Sequence, residues 1–249
     1  MMIQKELILG TSHLARLSQR SVNRFIDYAC NLGIQEFDTA PLYGLALVEK
    51  RLGVAIKLGQ LRINTKFGLS HYRSPSRNSF DMRVKYTINK IQKRSVIRNF
   101  DVASGMRMVE NSLRRLNIDR IHIYFLHDVL PDELNRNLFE DFFGYLKQKE
   151  LIQFAGISTH LKMFDNQEIS RLKFIDHFQI YYSDFENVQI SKLKIYSVHS
   201  LFRDRVDNED IWKNFDVAMR TKNIRKIVVG TSNKRHLSEI VARFDKSNG

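Results

Sequence analysis

The apolar positions of this chain switch repeatedly between strict alternation and the three-and-four spacing of a helix face. Residues 6–11 read as a strand and 21–32 as a helix, with Ser21 as its cap and Gly33 as its stop. The pair recurs at 34–40 and 45–58, where Gly59 closes the helix. A third strand, 61–67, meets its helix, 101–116, only after a long segment, 69–100. Strand 121–127 precedes a helix from about Asn135 to Lys149, and strand 152–158 a helix at 161–172. The sixth strand, 174–182, is separated from the seventh, 193–199, by the short stretch 184–191. A helix at 209–221, a strand at 224–229 and a helix at 235–244 close the series.

Eight strands alternating with helices, without a linker or a break in composition, predict parallel pairing through right-handed crossovers. The expected fold is α/β: a single-domain (β/α)8 TIM barrel over 1–249, with short sixth and seventh helical connections and no long C-terminal loop. A doubly wound sheet would suit the same length, but neither G-x-G-x-x-G nor G-x-x-x-x-G-K-[ST] occurs.

One stretch stands out for its chemistry. In residues 34–44, Glu36 and Asp38 share one strand face and Phe37 takes the other. Pro41 and Gly44 then end the strand and place Tyr43 in the following loop. Lys66 and His127 stand at the ends of the third and fourth strands. In a barrel all four side chains reach one rim, the rim where barrel active sites form. Taken singly, each has an ordinary structural reading: a capping Asp, a packed Tyr, a snorkelling Lys, a satisfied His. Their convergence on three strand ends is harder to explain that way. His122 and His127 are expected on opposite faces of one strand, which argues against a shared metal, and Cys30 has no partner at ligand spacing.

Composition adds less. A single cysteine rules out an intrachain disulfide, the N-terminal apolar run is too short for a signal peptide, and no stretch approaches a membrane span; the expected location is cytoplasmic. The net charge of +13 is concentrated in 69–100, where Arg73, Arg77, Arg83, Lys85, Lys90, Lys93, Arg94 and Arg98 face one acid, Asp81. Such charge fits an anionic ligand, a nucleic acid or a solvated surface. The absence of a recognised module or of interleaved aromatic and basic residues speaks against nucleic acid.

In their order and spacing, these motifs resemble the aldo-keto reductases, nicotinamide-dependent barrel oxidoreductases. The resemblance rests on Phe37-Asp38-Thr39-Ala40 with Tyr43-Gly44 and Glu49, on Asn64-Thr65-Lys66-Phe67-Gly68, and on the run from Ser112 through His127. Further similar positions are Gly156-Ile157-Ser158, Gln179, Tyr196-Ser197, and Gly230-Thr231-Ser232-Asn233 with His236-Leu237 and Glu239. It implies Tyr43 as general acid, with Lys66 lowering its pKa, Asp38 holding Lys66 charged and His127 orienting the carbonyl or relaying its proton. It further implies that Ser158 and Gln179 hold the nicotinamide carboxamide, that Tyr196 stacks on the ring and that Gly230, Thr231 and Ser232 meet phosphate. Gly10, Thr11, Thr159, Ser197, His236 and Glu239 are implied as further cofactor contacts. Lys234 and Arg235 beside them favour NADP(H) over NAD(H), although Thr159 and Ile240 replace asparagines usual in the family.

The segment 69–100 leaves the strand that carries Lys66, so the expectation is a basic lid and an anionic carbonyl substrate. A nicotinamide-binding regulatory subunit without turnover is the alternative from another class.

Overall fold

The computed structural model describes residues 4–56, 61–71, 75–92, 96–184, 195–202 and 212–248. Its strands in chain order are β1 (Glu6–Gly10), β2 (Glu36–Asp38), β3 (Arg62–Phe67), β4 (Leu69–Ser70), β5 (Ile97–Arg98), β6 (Ile121–His127), β7 (Ile152–Thr159), β8 (His177–Tyr181), β9 (Ile195–His199) and β10 (Lys226–Gly230). Eight of them close a barrel in the order β1-β10-β9-β8-β7-β6-β3-β2, every pairing parallel. Around it lie α1 (Gln19–Asn31), α2 (Leu47–Ala55), α4 (Val102–Leu116), α5 (Arg136–Gln148), α6 (Asn166–Ser170), α7 (Lys213–Arg220) and α8 (Lys234–Asn248). The expected (β/α)8 barrel is therefore the fold. Residues 185–194 in the sixth connection and 203–211 in the seventh lie outside the described residues, as do Gly59, Arg73, Lys93 and Arg94.

The larger core fills the space between strands and helices, and it fixes the direction of the strand ends at the rim. Phe67 is buried among Tyr124, Phe139, Phe142 and Phe143, with ring centroids 5.1 Å away for Tyr124 and 5.3 Å for Phe142. A strand alternates its faces, so pinning Phe67 outward sends Lys66 into the barrel. Likewise Phe37 is fully buried in the outer core, while Glu36 and Asp38 both turn inward, as their alternation predicts.

Two helix readings need correction. The cap of α1 is Ser18, whose hydroxyl accepts from Ser21 N at 3.2 Å; Ser21 already lies inside the helix. The helix expected at 161–172 is broken into a 3-10 turn, Leu161–Met163, and the short α6. Asp165 is the reason: its carboxylate accepts from Glu168 N at 2.6 Å and Glu168 returns a bond to Asp165 N, so a new capping box starts there. His122 is also placed differently from the expectation. Its Nε2 lies 3.9 Å from the inward Glu36, so it is separated from His127 along the strand rather than by facing the opposite way.

The described residues of the segment after β3 form a small frame of their own. β4 and β5 pair antiparallel at its root, and α3 (Ser79–Ile91), capped by Asn78, crosses above. Gly68 makes the turn into it at φ 105°, with Phe100 packed so closely that a Cβ on Gly68 would fall 1.9 Å from its ring. No helix among the described residues is long and apolar enough to cross a membrane.

Candidate active site

At the C-terminal rim Gly10, Asp38 and Gly230 share one register across β2, β1 and β10. Lys66 is buried, ion-paired to Asp38, and its ammonium also donates to Thr39 O at 3.2 Å. Thr11 fixes the backbone of Asp38 from behind: both its N–H and its hydroxyl donate to the main-chain carbonyl oxygen of Asp38, each at 2.9 Å. The Lys66 ammonium lies 5.6 Å from the Tyr43 ring centroid, and the Tyr43 and His127 rings meet edge-on with centroids 6.3 Å apart. The four residues expected to carry the chemistry are thus in one place.

Their protonation departs from expectation at Tyr43. Burial pushes its phenol well above the ordinary range, and the charge of Asp38 pushes the same way, followed by Tyr181 and Asp128. Lys66 was expected to lower it, but that ammonium is ion-paired to Asp38, and burial with the Asp38 charge prevails at the phenol. His127 goes the other way: burial first, then Lys66, His199 and Arg98, hold it well below the usual imidazole range. The ring is therefore neutral near pH 7. Its buried Nδ1 has no hydrogen-bond partner among the described residues, so packing rather than a hydrogen bond on that nitrogen holds it.

Beside this group, Ser158 donates to Gln179 Oε1 at 2.7 Å, and Gln179 Nε2 donates to Asp38 Oδ2 at 2.9 Å. The serine oxygen and the second lone pair of Oε1 are left to accept from an amide, which fits a nicotinamide carboxamide. Thr159 does not join them; its hydroxyl donates outward to Val129 O at 2.9 Å. Ser197 is buried on β9 next to Gln179, and the side chain of Tyr196 lies outside what is described.

Across the rim, Thr231 Oγ1 accepts from Asn233 N at 3.1 Å, and Asn233 caps α8 by accepting from Arg235 N at 2.9 Å and, more weakly, His236 N at 3.4 Å. Gly230, Ser232 and His236 are exposed there. Lys234 and Arg235, expected to share a phosphate, diverge: the Lys234 ammonium rests 4.7 Å over the Tyr28 ring, while Arg235 pairs with Glu239 at 2.8 Å.

These groups on a closed parallel barrel agree with the comparison to known proteins. The sequence pattern of the aldo/keto reductase family matches residues 6–194. The chain belongs to the aldo/keto reductase family. Over 108 residues it is 32% identical to a D-threo-aldose 1-dehydrogenase of a Pseudomonas species, covering 41% of this chain and 32% of that protein. Over 136 residues it is 26% identical to a pyridoxal 4-dehydrogenase of Microbacterium luteolum, covering 49% of this chain and 39% of that protein. The chain thus matches well under half the length of either relative. An aldo-keto reductase structure from Bacillus halodurans, 19% identical, superposes with a TM-score of 0.72 over 98% of this chain and 90% of its own, which shows the shared fold.

The mouth of this aldo/keto reductase holds a second polar group that the motifs did not reveal. Tyr181 donates to the Asp128 carboxylate (3.1 and 3.2 Å to its two oxygens), His160 stacks on Tyr181 with centroids 3.7 Å apart, and His160 Nδ1 meets the buried Asp184 at 2.9 Å. His199 packs on the other side of the tyrosine at 4.1 Å. Alternation could have exposed part of this, because Tyr181 shares a strand face with Gln179. The basic segment contributes Arg98 here, but Glu133 takes its charge through two bonds, at 2.7 and 2.5 Å. Among the described residues no group of three His, Cys, Asp or Glu side chains is placed to hold a metal ion.

Proposed function

We propose that this protein is an NAD(P)-dependent oxidoreductase that reduces an aldehyde or ketone to an alcohol, or runs the reverse. The observation that carries the reading is the convergence of Tyr43, the Lys66–Asp38 pair and a neutral His127 beside the Ser158–Gln179 pair. Reduction needs a hydride on the carbonyl carbon and a proton on its oxygen. A dinucleotide, when bound, supplies the hydride. Tyr43 supplies the proton, for a phenol that resists ionisation stays protonated until negative charge develops on the oxygen beside it. His127, neutral and boxed in by packing, offers a hydrogen bond that orients the same oxygen; its depressed pKa favours this over a relay through imidazolium.

Ser158, Gln179 and Ser197 receive the nicotinamide end and the loop from Gly230 to Ser232 the phosphates, with Gly10, Thr11, Tyr196, His236 and Glu239 around them. NADP(H) is the preferred form, since Arg235 needs only to leave an exposed partner to meet a 2′-phosphate.

For the substrate, Asp128, Tyr181, His160 and His199 offer acceptors and donors suited to hydroxyl groups, so the reading is a hydroxylated carbonyl compound. The name of the aldose dehydrogenase relative points the same way. An anionic substrate is the second reading, resting on the charge of 69–100. Oxidation of NADPH and of NADH with sugars, simple aldehydes and phosphorylated aldehydes tests all of this. Turnover with none of them, by protein that binds NADPH, would favour the regulatory-subunit alternative.

A further inference from the structure

The aldo/keto reductase chemistry does not use the outer face of α3. This helix turns Met82 and Asn89 inward, seven residues apart, where both are buried. Its opposite side carries Phe80, Val84 and Ile91, at the i, i+4, i+11 spacing of one helical line, and these are 77%, 41% and 74% exposed. Other exposed apolar side chains, such as Val54, Leu138 and Met163, stand on separate elements. Arg83 and Lys90 are exposed along one flank of the line. On the other flank Lys85 is tied to Asp81 at 2.9 Å, and Asp81 is the one acid of the segment.

We infer that this face docks the protein onto an anionic lipid surface. An apolar stripe edged by cations is what lies in the boundary between headgroups and acyl chains: phenylalanine and isoleucine enter the boundary while the cations meet lipid phosphate. The whole chain, at +13, adds long-range attraction of the same sign. A second copy of the chain suits the face poorly. Three apolar side chains fall short of the roughly 800 Å² per partner of a stable dimer, and a twofold contact would bring Arg83 and Lys90 against their own copies. The inner face of α3 is packed on the loop that bears Tyr43, for Met82 Sδ would be 3.2 Å from a Cβ built at Gly44. The docked bilayer would then lie about one helix diameter, some 10 Å, from that loop.

The test is co-sedimentation of the full-length protein with vesicles of phosphatidylcholine alone and of phosphatidylcholine mixed with phosphatidylglycerol. Binding is expected to the anionic vesicles and not to the neutral ones. The double variant Phe80→Ser, Ile91→Ser should partition about tenfold less or more, and Arg83→Gln, Lys90→Gln about fivefold less per charge removed. Both should keep wild-type circular dichroism, and the serine variant should keep wild-type turnover with a neutral aldehyde, since Phe80 and Ile91 are exposed and outside the site. Equal binding to both vesicle types, no binding to either, or undiminished binding by the serine variant would overturn the inference. A dimer that the serine variant dissociates, without vesicle binding, would assign the face to self-association instead.

Discussion

At the scale of single residues the site is a balance of charges around one phenol. Burial and Asp38 both hold Tyr43 protonated, and Lys66 limits the second effect by neutralising Asp38. Tyr43→Phe removes one hydroxyl and leaves the ring packed against His127, so turnover at saturating cofactor should fall about 10²- to 10⁴-fold with cofactor affinity unchanged. Turnover within a few-fold of wild type would remove Tyr43 from its role. Lys66→Met exposes the phenol to an unopposed carboxylate. The limb of the pH-rate profile assigned to Tyr43 should move to higher pH, because negative charge nearby disfavours phenolate. An unmoved limb would mean that Lys66 acts on the packing and not on the charge.

At the scale of elements, the loop bearing Tyr43 concentrates backbone strain. Gly44, Leu45 and Ala46 are successive left-handed residues, with φ of 62°, 56° and 62°. For the two non-glycine residues this costs on the order of 1–2 kcal/mol each. The segment 69–100 holds the turn in place: Ser76 N donates to Leu45 O at 2.8 Å and His71 Nε2 meets Leu42 O at 3.0 Å. Met82→Ala should therefore cost about 2–5 kcal/mol of local stability. It should be seen as faster amide exchange in α3 and in residues 43–47, with a fall in turnover that leaves the cofactor Michaelis constant alone. If exchange rises in α3 while turnover stays at the wild-type value, the brace does not serve the catalytic loop. None of this support was legible in the sequence, because each contact joins residues some 30 to 40 positions apart. What was legible came from local periodicity: the strand ends at Lys66 and His127 came out as read. Local signals misled where two were in competition, as with Ser18 and Ser21, or where Asp165 restarted a helix that the apolar pattern ran straight through.

At the scale of the whole molecule, the barrel interior is layered, and its far layer is polar. Glu36, fully buried, meets Lys226 Nζ at 2.6 Å, Asn64 Nδ2 at 2.8 Å and Arg62 Nε at 3.1 Å, while Arg62 continues to Glu6 at 2.6 Å. Alternation placed Glu36 on the face of Asp38, but its partners come from β3 and β10, so only closure of the barrel reveals the cluster. The rim with Asp38, Tyr43, Lys66 and His127 was legible because its residue types also form a family pattern; this layer has no such pattern. Burial alone would raise the pKa of Glu36, yet the charge and hydrogen bond of Lys226, with Asn64 and His122, hold it below the usual glutamate range. A depressed carboxylate pKa gives stability that is complete above the unfolded value of about 4.3 and is lost as pH falls through the lower folded value. Glu36→Gln leaves Lys226 buried without its closest counter-charge, and near pH 7 it should cost about 3–5 kcal/mol, or about 6–20 °C in melting temperature for a chain of this size. Adding Lys226→Met to that variant should recover part of the loss, since it removes the stranded charge. The gap between wild type and Glu36→Gln should then narrow as pH drops below about 4, where Glu36 takes up its proton in the wild type too. Thermal melts of the three proteins from neutral pH into this acid range decide it: a gap that stays constant with pH would show that Glu36 stabilises the barrel through packing, and the charge cluster would lose its assigned role.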